Sequence, residues 1–121
     1  MSAKALFLDL DGTLLNDQKE ITPGNRAAIQ AALAAGHQVV ITTGCPLVSA
    51  REQARRLGIP IENTVAAGDA ANDLSMLRAA GVGVAMCNGT DEAKAAADAV
   101  TCRDNNHDGI AEIIEKYLVH R

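Results

Sequence analysis

Aromatic side chains are nearly missing from this chain, with one Phe, one Tyr and no Trp among 121 residues. A core organised around stacked rings is therefore excluded. The apolar 48% is dominated by 23 Ala, with 11 Leu, 8 Ile and 8 Val, so aliphatic side chains and closely approaching helices must fill the interior. Cysteine is sparse too. Cys45, Cys87 and Cys102 are odd in number and share no spacing, which fits neither a disulfide framework nor a Cys-x-x-Cys zinc site; reduced thiols are expected. No stretch approaches the roughly 20 apolar residues that span a bilayer. The 11 basic residues form no long run and are outnumbered by 15 acidic ones, leaving a formal charge of -4. A backbone-neutralising nucleic-acid footprint is thereby disfavoured. The first nine residues end in Asp9 before any small-residue cleavage site, so a cytoplasmic location is the expectation. What remains is a chain of the size and composition of one globular domain.

Buried strands and amphipathic helices alternate along it. Ala5–Leu10 is a nearly continuous apolar run ended by Asp11-Gly12-Thr13, the pattern of a central parallel strand covered on both faces. Thr22-Pro23 supplies an N-cap and a first-turn proline. Ala28, Ile29, Ala32 and Leu33 follow on one face, and Gly36 is the stop. Val39–Thr43 repeats the strand and Leu47–Leu57 the helix, with Leu47, Ala50, Ala54 and Leu57 inward and Arg51, Glu52, Arg55 and Arg56 outward. Thr64–Gly68 is a third strand, before a short helix carrying Leu74, Leu77 and Ala80. Val82–Met86 is a fourth strand, Asp91–Ala97 an Ala-rich helix, and Ala99–Thr101 a brief edge strand. Asp108 reads as the N-cap of a last helix carrying Ile110, Ile113, Ile114, Tyr117 and Leu118. His37, His107 and His120 are scattered and read as solvent-facing. Such alternation implies an α/β fold, an open parallel sheet with right-handed crossovers.

In open parallel sheets, ligands bind beyond the carboxyl ends of the strands. The polar residues there are Asp9 and Asp11, Thr42 and Thr43, and Asp69 with Asn72 and Asp73. Carboxylates gathered on one edge repel unless they share a cation, and an all-oxygen set is what Mg²⁺ prefers. Each Asp taken singly also reads as a turn or cap residue; their recurrence at three strand ends favours a site.

Asp9-Leu10-Asp11-Gly12-Thr13-Leu14, the Thr43-Gly44 strand end and Gly68-Asp69-Ala70-Ala71-Asn72-Asp73 resemble motifs one, two and four of the haloacid dehalogenase superfamily, most closely its Cof-like sugar phosphatase branch. The resemblance runs over nearly the whole chain. It implies a Rossmann-like core with strand order 2-1-3-4-5, counted in this chain. It further implies that Asp9 is a nucleophile forming an aspartyl-phosphate and that Asp11 is the general acid-base. Mg²⁺ would be held by Asp9, Asp69, the Asp11 carbonyl and Asp73, directly or through water. Phosphate would be bound by Thr43, Gly44, the Asp11-Gly12 turn and Asn72. A small phosphorylated metabolite is the implied partner, with no nucleic acid and no membrane.

Two departures accompany the likeness. The branch carries a lysine before its Gly-Asp segment, whereas this chain has no Lys between Lys19 and Lys94. Arg51, Arg55 and Arg56 are stand-ins by type, but read first as the outer face of a helix. The branch also inserts a cap domain, whereas here only Gly58–Asn63 separates the second helix from the third strand. One minimal capless core over residues 1–121 is expected, with a deletion seam within residues 57–64 and Cys45 where the family usually has Arg. The strand ending at Thr43 would become an uncovered edge, and a homodimer through it is a secondary expectation. Two functional classes fit: a weak, unselective Mg²⁺-dependent phosphatase, or a Mg²⁺- and phosphate-binding remnant or assembly module of the same fold.

Overall fold

The computed structural model describes residues 3–42 and 50–119. Within them the order is β1 (Ala5–Leu8), α1 (Pro23–Ala34), β2 (Gln38–Ile41), α2 (Ala50–Leu57), β3 (Thr64–Gly68), α3 (Leu74–Ala79), β4 (Val82–Ala85), α4 (Asp91–Ala96), β5 (Ala99–Val100) and α5 (Gly109–Ile113). A wider helical turn over Ile114–Leu118 extends α5. Every strand pairing is parallel, and the sheet runs β2-β1-β3-β4-β5. This is the expected order, with β2 at the edge. The readings that concern Thr43, Gly44, Cys45 and Leu47 lie outside the described residues.

The continuous apolar run of β1 is explained by its place between β2 and β3. Successive side chains point to opposite faces. Leu6 and Leu8 join Val65, Ala67, Val84 and Met86 under Ile110, Ile113 and Ile114 of the C-terminal helix. Ala5 and Phe7 join Ala66 and Ala85 under Ala54, Met76, Leu77 and Ala93. Both layers are aliphatic, and Phe7 is the one ring at full burial.

β1 stops two residues before its apolar run does. The Asp9 amide still reaches the Ala67 carbonyl at 3.3 Å, but the Asp9 carbonyl accepts the Leu14 amide at 3.3 Å. The Leu10 carbonyl accepts those of Thr13 and Leu15 at 3.2 and 2.9 Å. The chain therefore turns back on itself at the strand end, and this turn presents Asp9 and Asp11 differently.

Several sequence readings are corrected. Leu33 and Leu57 were expected inward but are 50% and 42% exposed. The buried members of α1 are Asn25 and Ala32, and Leu33 lies about 100° round the helix from Ala32. Leu57 ends α2 beside edge strand β2, where it borders a groove of about 200 Å³ with Val40, Gln53 and Arg56. His37 is buried rather than solvent-facing, its Nδ1 accepting the Lys4 amide at 3.0 Å where β1 begins. Asp108 does precede α5, but its carboxylate accepts the Thr22 hydroxyl and makes no cap bond within its own helix. Cys87 and Cys102, unrelated in spacing, are brought together where β4 and β5 end. The Cys87 thiol donates to the Cys102 carbonyl at 3.7 Å, and both thiols are free.

Candidate active site

Three carboxylates converge where β1 and β3 end. Asp9 follows β1, Asp69 follows β3, and Asp73 closes the short 3-10 turn Ala71–Asp73. One oxygen from each lies within 4.8 Å of the others. Asp9 and Asp73 are buried at 9% and 2% exposure. Asp73 is held in place because its Oδ2 accepts the backbone amides of Asp69 at 3.0 Å and Ala70 at 3.2 Å. Asp69 Oδ1 accepts the hydroxyl of buried Thr13 at 3.0 Å.

Packing three acids this closely works against ionisation. Burial first, and then the charge of Asp73, push the Asp9 carboxyl from its ordinary 3.8 up to about 7. Asp69 is also raised, by burial foremost and by Asp73, against the lowering effect of its bond from Thr13. An all-oxygen set with unbalanced negative charge fits a hard divalent cation such as Mg²⁺.

Two glycines make room for this set. Gly12 has φ of +78°, and a Cβ built there would lie 2.1 Å from Asp69 Oδ2. A Cβ on Gly68 would lie 2.5 Å from that of Asp73. Gly12→Ala should therefore destabilise the protein by roughly 2–4 kcal/mol, combining left-handed strain with overlap against a fixed carboxylate. Thermal melting checks this, and an unchanged melting temperature would show that Asp69 is free to move aside.

The remaining sequence-derived candidates separate. Asp11 lies outside the triad: its side chain is 72% exposed and its Oδ1 accepts Lys19 Nζ at 2.9 Å. Asn72 is exposed on the turn that also carries Asp73. Thr42 is buried, its hydroxyl donating to the Leu8 carbonyl at 3.1 Å and contacting Met76 sulfur at 3.2 Å, so it serves the fold. Arg55 and Arg56 pair with Glu52 on the outer face of α2 at 2.9 and 3.6 Å, as their pattern implied.

Three contributors were missed. Thr13 orients Asp69 from inside the Asp-Gly-Thr turn. Asn88 donates to the Gly12 carbonyl at 2.8 Å while its Oδ1 accepts the Asn105 amide at 3.2 Å, which pins the turn from the far side. The available signal for Asn88 was an Asn-Gly pair at the carboxyl end of β4, the edge where ligands bind. Lys19 is the third, with no spacing that points to it.

Comparison with known proteins converges on one family. A model described as haloacid dehalogenase-like hydrolase matches residues 6–58 and 48–114, the two stretches overlapping at 48–58, which takes in α2. The chain is 49% identical over 65 residues to phosphatase YwpJ of Bacillus subtilis, covering 54% of this chain and 22% of that protein. It is 52% identical over 62 residues to pyridoxal phosphate phosphatase YbhA of Escherichia coli, covering 51% and 22%. Each match thus spans about a fifth of the relative. Among solved structures, 3-deoxy-D-manno-octulosonate 8-phosphate phosphatase from Moraxella catarrhalis, in complex with magnesium, phosphate and KDO, superposes with a TM-score of 0.77 at 22% identity, covering 96% of this chain and 86% of that one.

Proposed function

We propose, for a chain that belongs to the haloacid dehalogenase-like hydrolase family, that the acidic edge hydrolyses small phosphate monoesters, sugar phosphates among them, through an aspartyl-phosphate on Asp9. The observation that carries this reading is the convergence of Asp9, Asp69 and Asp73 at the strand ends. The named phosphatase activities of the curated relatives support it.

Asp9 is the member of the triad that follows β1, the strand held between β2 and β3. Its carboxylate oxygen attacks phosphorus, forming an O–P bond as the bond to the leaving alkoxide breaks. Asp11, two residues on and exposed, donates the proton the alkoxide needs. Its carboxylate then takes a proton from water, whose oxygen bonds to phosphorus as the Asp9 O–P bond breaks, releasing inorganic phosphate and the Asp9 carboxylate and leaving Asp11 protonated. Asp9, Asp69 and Asp73 would hold Mg²⁺, which when bound supplies positive charge between nucleophile and phosphoryl oxygens. The Asp11-Gly12 turn, Thr43, Gly44 and Asn72 are the proposed phosphate ligands.

Only Gly58–Asn63 separates α2 from β3, which leaves no insertion there to enclose a substrate or exclude water. Turnover should therefore be weak and similar among sugar phosphates, since positioning of the leaving group is lost. Hydrolysis of p-nitrophenyl phosphate and a panel of sugar phosphates, with and without Mg²⁺, tests this. Rapid turnover of one sugar phosphate alone would overturn the unselective part; no Mg²⁺-dependent turnover of any ester would favour the binding remnant.

A further inference from the structure

A phosphate dianion approaching this edge meets carboxylates, in a chain of net charge -4. Among the described residues, one ion pair brings a cation to an acid of the site, Lys19 Nζ to Asp11 Oδ1 at 2.9 Å. Arg55 and Arg56 pair instead with Glu52, on the outer face of α2.

Lys19 is placed there by a built hairpin. Leu15 and Ile21 pair antiparallel, and the Asn16 amide donates to the Glu20 carbonyl at 2.9 Å. The Lys19 amide donates to the Asn16 carbonyl at 2.9 Å, and Asn16 Oδ1 accepts the Gln18 and Glu20 amides at 3.0 Å each. The tip is also tied down from outside. The Asp17 carboxylate accepts the side-chain amides of Asn105 and Asn106 at 3.2 and 3.1 Å. The Asp17 amide donates to Asn106 at 2.9 Å. Lys19 itself takes φ of +61°, a backbone state that non-glycine residues adopt at a cost. The hairpin thus holds the lysine backbone, from which the side chain reaches Asp11.

The pair it forms is exchangeable. Lys19 and Asp11 side chains are 67% and 72% exposed, and such pairs contribute little in water. A phosphoryl group offers more charge and several acceptor oxygens. We propose that Lys19 is a substrate-contacting residue whose ammonium passes from Asp11 to a phosphoryl oxygen when a phosphomonoester binds. This rests on the phosphatase reading and supplies the cation that the stretch between Lys19 and Lys94 lacks. In the resting protein Lys19 neutralises the Asp11 carboxylate; in the complex it neutralises the phosphoryl group, and the freed carboxylate takes up the proton of a monoanionic ester and passes it to the leaving oxygen.

The test compares wild type with Lys19→Met, Lys19→Arg and Asp9→Asn. It measures KM and kcat for p-nitrophenyl phosphate, and calorimetric binding of inorganic phosphate with Mg²⁺ present at low and high salt. Lys19→Met should weaken phosphate binding and raise KM about tenfold, the worth of one charge-assisted hydrogen bond. Lys19→Arg should recover most of both, and the salt dependence of binding should shrink in Lys19→Met alone. Equal phosphate affinity in wild type and Lys19→Met, no phosphate binding in either, or failure of Lys19→Arg to recover would overturn the proposal. Asp9→Asn separates the two ideas: retained hydrolysis there sinks the phosphatase reading, whereas lost hydrolysis beside an unaffected Lys19→Met sinks only the lysine.

Discussion

Asp9→Asn should reduce phosphate-ester hydrolysis to the background of the buffer. Amide and acid are nearly the same size, so the aliphatic layers around β1 stay filled. What is lost is a nucleophilic oxygen that no neighbour replaces, because the Asp73 Oδ2 is committed to two backbone amides and Asp69 Oδ1 to Thr13. Removing a covalent nucleophile costs on the order of 10⁶ in turnover where it has been measured, which exceeds the modest acceleration expected of an uncapped site. The same substitution removes one member of a crowded acidic set, so the melting temperature of the metal-free protein should rise or hold while activity disappears. Activity and stability moving in opposite directions would mark Asp9 as functional; a parallel fall of both would mean that its role is structural.

The second large effect is the coupling of Mg²⁺, pH and stability. Asp9 carries an ordinary value of 3.8 when unfolded and about 7 in the fold. Between these values the folded protein holds a proton that the unfolded chain releases. Its stability therefore falls as pH rises through that window, and the full cost of the anion is present above about 7. Asp69 is shifted in the same direction and adds to the slope. A cation competes with those protons, so Mg²⁺ should bind more tightly at pH 8 than at pH 5. A hundredfold excess over Kd stabilises by about 2.7 kcal/mol, or roughly 10 °C for a chain of this size. Differential scanning calorimetry at pH 5 and pH 8 should show the metal-free melting temperature falling with pH and Mg²⁺ reversing the fall. Asp9→Asn should flatten the metal-free slope, and Asp69→Asn should abolish the metal shift. A melting temperature indifferent to saturating Mg²⁺ at pH 8 would leave the triad without a cation to hold.

Much of this was legible because local rules and tertiary outcome agree. An apolar run without alternation belongs to a strand buried on both faces, and β1 is one, with all four residues Ala5–Leu8 buried. Thr22 before Pro23 does cap α1, its side chain accepting the Asn25 amide. Acids that follow apolar runs in a parallel sheet must arrive at one edge, so Asp9, Asp11, Asp69 and Asp73 could be grouped from order, but order did not show that the Asp11 side chain turns away from the other three. Helix facing was less legible at the margins. Leu33 and Leu57 have the right period, but period says which side of a helix a residue is on and not whether anything covers it. At the sheet edge the described residues leave Leu57 42% exposed.

What the sequence determined by itself, then, was the alternation of elements and the acids at their ends, because hydrophobic period, capping residues and turn glycines act over a few neighbours. What only the tertiary structure decided are pairings across long stretches of chain. Asn88 meets Gly12 across 76 positions and Thr13 meets Asp69 across 56. Cys102 lies beside Cys87 because β4 and β5 pair in register. Lys19 finds Asp11 only eight positions away, yet a hairpin whose tip is anchored to Asn105 and Asn106 sets that contact. Such contacts depend on strand register and on where turns are tethered, and both follow from the summed packing of two aliphatic layers that no short window of sequence contains.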